Sequence, residues 1–240
     1  MEAPSTAPHE PGHVHQFDEE RARKYDRTAR QVVPGYEALH SMAASLLHTE
    51  LGEEAQILVV GAGTGMELLT LAEQRPKWRL TGVDPSPEML ALARECLQAQ
   101  GWTDRVQLHT GHTRELPDAM TYDAATCLLV IHHLAREEQL ELLRNIARRL
   151  KKGAPLILAE MVGDTTSPQF RRFLAAWKSR QIAAGATVEE TEQRAQTMTS
   201  VISFPSEDSL RTLLSQAGFG DMERFFTAYF YGGWIARLQR

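Results

Sequence analysis

The sequence predicts an α/β protein: a mostly parallel seven-stranded sheet with helices on both faces, closed by an antiparallel C-terminal hairpin. Three observations carry that reading. Short apolar runs rich in β-branched residues alternate with helix-period segments between residues 56 and 161. A glycine-rich turn, Gly61-Ala62-Gly63-Thr64-Gly65, leaves the first of those runs and opens a helix. Two further apolar runs close the chain, divided by Gly232-Gly233.

The elements follow in order. Residues 17–51 have a helical pattern that Pro34-Gly35 breaks into two helices, and Gly52 ends the second. Residues 56–61 form a continuous apolar run, the signature of a strand covered on both faces. A helix over 65–74 ends at Arg75-Pro76, and a second strand spans 78–83. The helix over 87–100 places Met89, Ala93, Cys96 and Leu97 on one face. A third strand spans 105–109, and residues 122–131 contain a fourth. The helix over 136–150 has Leu140, Leu143, Ile146, Ala147 and Leu150 on its inner stripe, with Gly153 as its stop. A fifth strand spans 155–161. Residues 163–200 are mostly helical and charged, and Ser206 caps a helix over 206–217 that Gly218 stops. The runs 222–231 and 233–238 complete the sheet, with Gly232-Gly233 expected as the hairpin turn. Alternation of this kind implies right-handed crossovers and parallel strands.

Composition bounds the function. At 42% apolar residues the chain can bury a full core, and its length fits one α/β domain with a modest insertion. Residues 1–16 read as a flexible, solvated tail; His9, His13 and His15 lack a Cys or carboxylate cluster that would complete a metal site. Residues 17–240 read as a single domain, with a helical N-terminal cap over 17–52 and a helical insertion over the active site at 163–200. A net charge of −5 argues against general attraction to nucleic acid. No apolar stretch approaches the roughly 20 residues of a membrane span, and no signal peptide is read, so a cytoplasmic protein is expected. Cys96 and Cys127 lie in apolar runs and read as small buried hydrophobes. Oligomeric state is open, a homodimer being one option.

The glycine turn carries the chemistry. Glycines let the backbone turn sharply and let a ligand approach the main chain. Asp84 lies nineteen residues beyond Gly65, at the end of the second strand, where an acid can accept hydrogen bonds from both ribose hydroxyls of a nucleoside. The glycines run G-x-G-x-G, and Met66 follows Gly65, which departs from the dinucleotide fingerprint and makes an NAD-dependent oxidoreductase the least favoured reading. No P-loop lysine follows either. A nucleoside without phosphates fits best.

Val60-Gly61-Ala62-Gly63-Thr64-Gly65 resembles the first motif of class I S-adenosylmethionine-dependent methyltransferases, and Val83-Asp84-Pro85-Ser86 with Met89 is similar to their second. Gly111-His112-Thr113 stands where that family often has Gly-Asp after the third strand. Ile131-His132-His133-Leu134 resembles the end of the fourth strand in many small-molecule methyltransferases, and residues 213–219 are similar to the segment before the sixth. The resemblance covers about residues 55–240. It implies a Rossmann-like methyltransferase fold, S-adenosyl-L-methionine as cofactor and a small-molecule acceptor, with no nucleic-acid or membrane partner. It also implies roles. Gly61, Ala62, Gly63 and Gly65 would line the methionine half, and Asp84 would hold the ribose with Pro85 and Ser86 nearby. Met89 would lie against adenine, His112 and Thr113 at its edge, and Leu128 and Leu129 beneath the sulfonium.

A narrower resemblance joins Lys24-Tyr25-Asp26, Arg30 and Val33-Pro34-Gly35-Tyr36 to the N-terminal cap of a branch that includes carboxy-S-adenosylmethionine synthase. Residues 170–194 match that branch loosely. In the synthase a Lys follows the Glu that ends the fifth strand; here Met161 follows Glu160, so one cationic partner for an extra carboxylate is absent, and Arg194, in the loosely matching stretch, could supply another. Ordinary methyl transfer is therefore favoured over synthase-like cofactor modification, and a non-catalytic S-adenosylmethionine-binding module is the remaining alternative.

His133 and His132 are candidates for a base, because imidazole titrates near neutrality; equally, one of them can cap or underlie the next helix. Glu160 ends a strand at the usual ligand crevice, or pairs with an arginine. Tyr25 and Tyr36 could close over the cofactor or acceptor, or belong to a structural cap. Trp177 continues a stripe from Phe170 and Phe173 that reads as core or as substrate wall. Arg194 could bind an acidic substrate or sit on a solvated helix face. Among the aromatics near the C-terminus, Tyr229 is the candidate for substrate contact.

Overall fold

Within each central strand the apolar side chains alternate between two faces, and both faces are buried. Ile57 and Val59 join one hydrophobic cluster, while Leu58 and Val60 join the other. A strand apolar on both sides needs helices above and below it. The computed structural model of the chain describes residues 19–117, 121–202 and 204–239, so the N-terminal segment 1–16, with His9, His13 and His15, lies outside the described residues.

Two helices lead in, α1 (Glu19–Val32) and α2 (Tyr36–Glu50). Then β1 (Gln56–Val60), α3 (Met66–Gln74), β2 (Arg79–Asp84), α4 (Pro87–Ala99) and β3 (Val106–Thr110) alternate. They are followed by β4 (Ala124–Leu128), α5 (Arg136–Ala147) and β5 (Pro155–Met161). Helices α6 (Pro168–Ala183) and α7 (Val188–Val201) form the insertion, and α8 (Glu207–Gln216) precedes β6 (Phe219–Ala228) and β7 (Tyr231–Leu238). The strands make one seven-stranded sheet in the order β3-β2-β1-β4-β5-β7-β6. The first five pair in parallel, and β7 runs antiparallel to both β5 and β6. One face is packed by α2, α3 and α4 side chains such as Leu39, Leu68 and Leu90; the other is packed by Leu143 of α5 and Leu213 of α8.

Two expectations are corrected. The hairpin does not turn at Gly232-Gly233: Ala228 pairs with Tyr231, so Tyr229 and Phe230 form the turn and both glycines sit inside β7. Tyr229 takes the left-handed conformation, φ 57°, that such a tight turn demands. The glycines serve packing instead. A side chain on Gly232 would collide with the Trp234 ring, and one on Gly233 would come within 2.8 Å of Phe225. Cys96 is the second correction, being exposed while Cys127 is buried. The buried stripe of α4 runs Met89, Leu90, Ala93 and Leu97, and Cys96 lies off its edge.

The insertion is tied to the N-terminal helix pair through the end of α1. Its last carbonyls would lack partners, as at any helix C-terminus. Trp177 donates its indole N–H to the Val32 carbonyl at 2.6 Å, and Arg180 donates to the Gln31 carbonyl at 2.6 Å. No described helix is long and apolar enough to cross a membrane.

Candidate active site

The strand order reverses between β1 and β4, since β2 and β3 lie to one side of β1 and β5 lies beyond β4. In open α/β sheets that reversal leaves a crevice at the C-terminal ends of the strands. The turn from β1 into α3 forms its floor. Gly61 at φ 71° and Gly65 at φ 90° hold conformations that side chains resist. Space is equally restrictive: a Cβ on Gly61 would run into Val130, and one on Gly65 would stand 3.0 Å from Ala93. The turn can therefore carry no side chain at either point, and it packs closely against β4's end and α4.

Asp84 ends β2 beside this turn. Its Oδ2 accepts the Gly63 amide and its Oδ1 accepts the Ser86 amide, both at 2.9 Å. Each oxygen keeps a further lone pair, so the carboxylate is held in place with two acceptor positions left over. Burial pushes its pKa up, against the pull of the two amides and His112. Ser86 also caps α4 by accepting the Met89 amide at 3.2 Å, and the Met89 methyl stands over Gly63. Thr113 is buried, and His112 is exposed in the turn after β3. The usual acid is absent at His112; Glu115, three residues on, accepts the His112 amide at 3.3 Å.

The N-terminal helices roof the turn. Thr64 donates its hydroxyl to Asp26 at 2.5 Å, which docks α1 onto the glycine turn. Tyr25 and Tyr36 line the cleft together with His40, Gly61, Ala62, Gly63, Thr64, Met66, Glu67, Leu128 and Leu129. Burial, with Asp26 and Asp84 nearby, raises the Tyr25 hydroxyl to about 12, and burial also raises Tyr36. Both phenols are thus neutral donors across the physiological range. His40 and Glu67 were not singled out from sequence. The signal for His40 was its place four residues after Tyr36, on a stripe otherwise filled by Leu39, Ala43, Ala44 and Leu47. For Glu67 there was none, because an acid in a first helical turn reads as a solvated dipole partner.

Beneath the cleft β4 ends in strain. Leu129 has φ 59°, a left-handed conformation that costs about 1–3 kcal/mol for such a residue. The turn Ile131–His133 follows it. His132 is buried there with Glu160 of β5: Nδ1 lies 2.5 Å from Oε1, and the His132 amide donates to Oε2 at 3.0 Å. Glu160 also accepts the Met161 amide at 2.8 Å. Its partner is thus a histidine, not an arginine. His133 is exposed, with its ring 4.0 Å from that of His132.

Residues 58–156 match the family model described as a methyltransferase domain. That match spans less than half of the chain, and full-length relatives are similar to it at low identity. A ubiquinone/menaquinone biosynthesis C-methyltransferase of a Geobacter species is 27% identical over 73% of this chain and 74% of its own. A carboxy-S-adenosyl-L-methionine synthase of Campylobacter hominis is 25% identical over 88% and 89% of the two chains. Magnesium protoporphyrin IX methyltransferase of Synechocystis, solved with bound S-adenosylhomocysteine, superposes with a TM-score of 0.66 at 17% identity. It covers 92% of this chain and 95% of that one.

The site passes a test of fit for S-adenosylmethionine: a Cβ on Gly63 would meet nothing closer than the Met89 methyl at 3.8 Å, and the anchored Asp84 keeps acceptor positions for a sugar. Of the residues singled out for substrate, Tyr36 lines the cleft. Trp177 does not: it is fully buried in the seam between the insertion and α1, with its one polar atom spent on Val32. Arg194 donates to Gln181 at 2.9 Å, joining α7 to α6. Tyr229 packs against Phe173 at 5.8 Å, at the hairpin tip.

Proposed function

We propose that this methyltransferase transfers a methyl group from S-adenosylmethionine to a small-molecule acceptor bound beside the β4 end. The observation that supports it best is Asp84, held by the Gly63 and Ser86 amides beside the glycine turn. Bound there, the cofactor supplies an electrophilic sulfonium methyl for in-line displacement. The chain's own residues align and desolvate the partners. Asp84 takes the ribose hydroxyls. Gly61, Ala62, Gly63 and Gly65 face the methionine half. Met89 covers one face of the adenine, with Pro85, Ser86, His112 and Thr113 at its edge. Leu128 and Leu129 present an apolar surface below the reacting centre, and Tyr25 and Tyr36 exclude water from above.

Glu160 and His132 serve as a buried brace that fixes the turn, and His133, exposed on that turn, is the group that takes a proton from the acceptor where one must leave. The cap, the insertion and the negative net charge favour a compact acceptor over nucleic acid. Cofactor carboxylation, the reaction of the synthase relatives, is the weaker reading. Met161 follows Glu160, and Arg194 is engaged by Gln181 instead of reaching the cleft.

The test is to incubate the protein and its His133→Ala variant with methyl-labelled S-adenosylmethionine and cell extract divided into small molecules, RNA and protein. Label in the small-molecule fraction, reduced about a hundredfold or more by the variant, is expected. Label confined to RNA or protein contradicts the acceptor class, and a carboxylated nucleoside found by mass spectrometry favours the synthase reading.

A further inference from the structure

Two polar side chains in the cleft wall lack partners for buried atoms. Glu67 lies in the first turn of α3, facing Thr126 of β4, and is only 6% exposed. Its Oε1 makes no hydrogen bond of good geometry, and the Thr126 hydroxyl, its polar neighbour, makes none either. His40 of α2 is 7% exposed, and neither of its ring nitrogens has one. Its ring meets Tyr36 edge-on at 4.6 Å, a contact that uses no nitrogen. Folded proteins satisfy most buried polar atoms. Both of these residues line the same cleft as Gly61 and Gly63. Glu67 faces β4, whereas Asp84 stands at the end of β2.

We infer that Glu67 and His40 form the receptor for the zwitterionic amino-acid end of the cofactor, Glu67 accepting from its ammonium and His40 donating to its carboxylate. This rests on the cofactor reading above and deepens it. An anion and an imidazole N–H donor in one wall match a ligand that carries a cation and an anion on one carbon. A metal ion is the poorer match, because no third His, Cys, Asp or Glu joins them as a cluster among the described residues. Neutralising a buried carboxylate with an ammonium turns a costly group into a binding contact. The fold thus tolerates the unpaired acid because the ligand completes it.

The probes are S-adenosylhomocysteine, which has the amino-acid end, and 5′-methylthioadenosine, which lacks it. Calorimetry with wild type, Glu67→Gln and His40→Phe separates the outcomes, and thermal unfolding checks that each variant is folded. Glu67→Gln keeps size and shape, and His40→Phe keeps a flat aromatic ring but is slightly larger. Glu67→Gln is expected to weaken S-adenosylhomocysteine roughly tenfold to a hundredfold, and His40→Phe roughly tenfold, with 5′-methylthioadenosine unchanged within about twofold. Equal losses for both probes, or no loss for either, overturn the inference while leaving the cofactor reading intact. Wild-type protein that binds neither probe overturns both.

Discussion

His132 Nδ1 lies 2.5 Å from Glu160 Oε1, with the His132 side chain 6% and the Glu160 side chain 1% exposed. The pair joins the turn after β4 to the end of β5, and the same carboxylate also takes the His132 and Met161 amides. Three donors therefore converge on one buried carboxylate. That density of contacts belongs to a brace more than to a group that must shuttle protons to an acceptor. It holds the segment on which Leu129 is strained and His133 is presented.

Removing the brace should cost stability before it costs chemistry. Glu160→Ala leaves three buried donors without an acceptor and is expected to destabilise the protein by about 3–5 kcal/mol. Urea unfolding measures this directly. A loss under about 1 kcal/mol would show that water or another group replaces the carboxylate.

The glycine turn gives a second prediction. Gly61→Ala combines a strained φ of 71° with a collision against Val130. It should destabilise the fold by about 1–3 kcal/mol and weaken S-adenosylhomocysteine binding. Adding Val130→Ala removes the collision but not the backbone strain, so the double variant should recover part of the stability. Additive losses in thermal unfolding would mean that the two residues do not press on each other.

His40 and Glu67 give stability an unusual dependence on pH. Burial raises Glu67 from 4.5 to about 7, so the folded state binds the extra proton, and this group subtracts stability as pH rises through that window. Burial lowers His40 from 6.5 to about 4, so its contribution is fully present above 6.5 and is lost as pH falls toward 4. In the wild type the two trends oppose one another. Glu67→Gln leaves only the His40 trend, and His40→Phe only the Glu67 trend, each worth about 3 kcal/mol at most. Thermal unfolding from acid to neutral pH should show the variants diverging in opposite directions. Parallel curves would contradict the burial of both groups.

How much of this was legible in the sequence differs by the range of the interaction. The parallel strands and the glycine turn were readable because Ile57 to Val60 and the spacing from Gly65 to Asp84 are local patterns. Ser206 was readable as a cap for the same reason, and it accepts the Ser209 amide; the cap that Ser86 supplies to α4 was not read. The hairpin turn was misplaced because Gly232 and Gly233 look like a turn, when the rings of Trp234 and Phe225 are what require them. The His132–Glu160 brace spans 28 residues of chain and leaves no periodic trace. Trp177 was ambiguous because a stripe shows which way a side chain faces, not which element it meets. Here that element is the last turn of α1.

The central claim is that Asp84, fixed by the amides of Gly63 and Ser86, grips the sugar of the bound nucleoside. Calorimetric titration of S-adenosylhomocysteine into Asp84→Ala measures that grip most directly. The account predicts an affinity at least about a hundredfold weaker than wild type in a protein that still unfolds cooperatively. Unchanged affinity would contradict it.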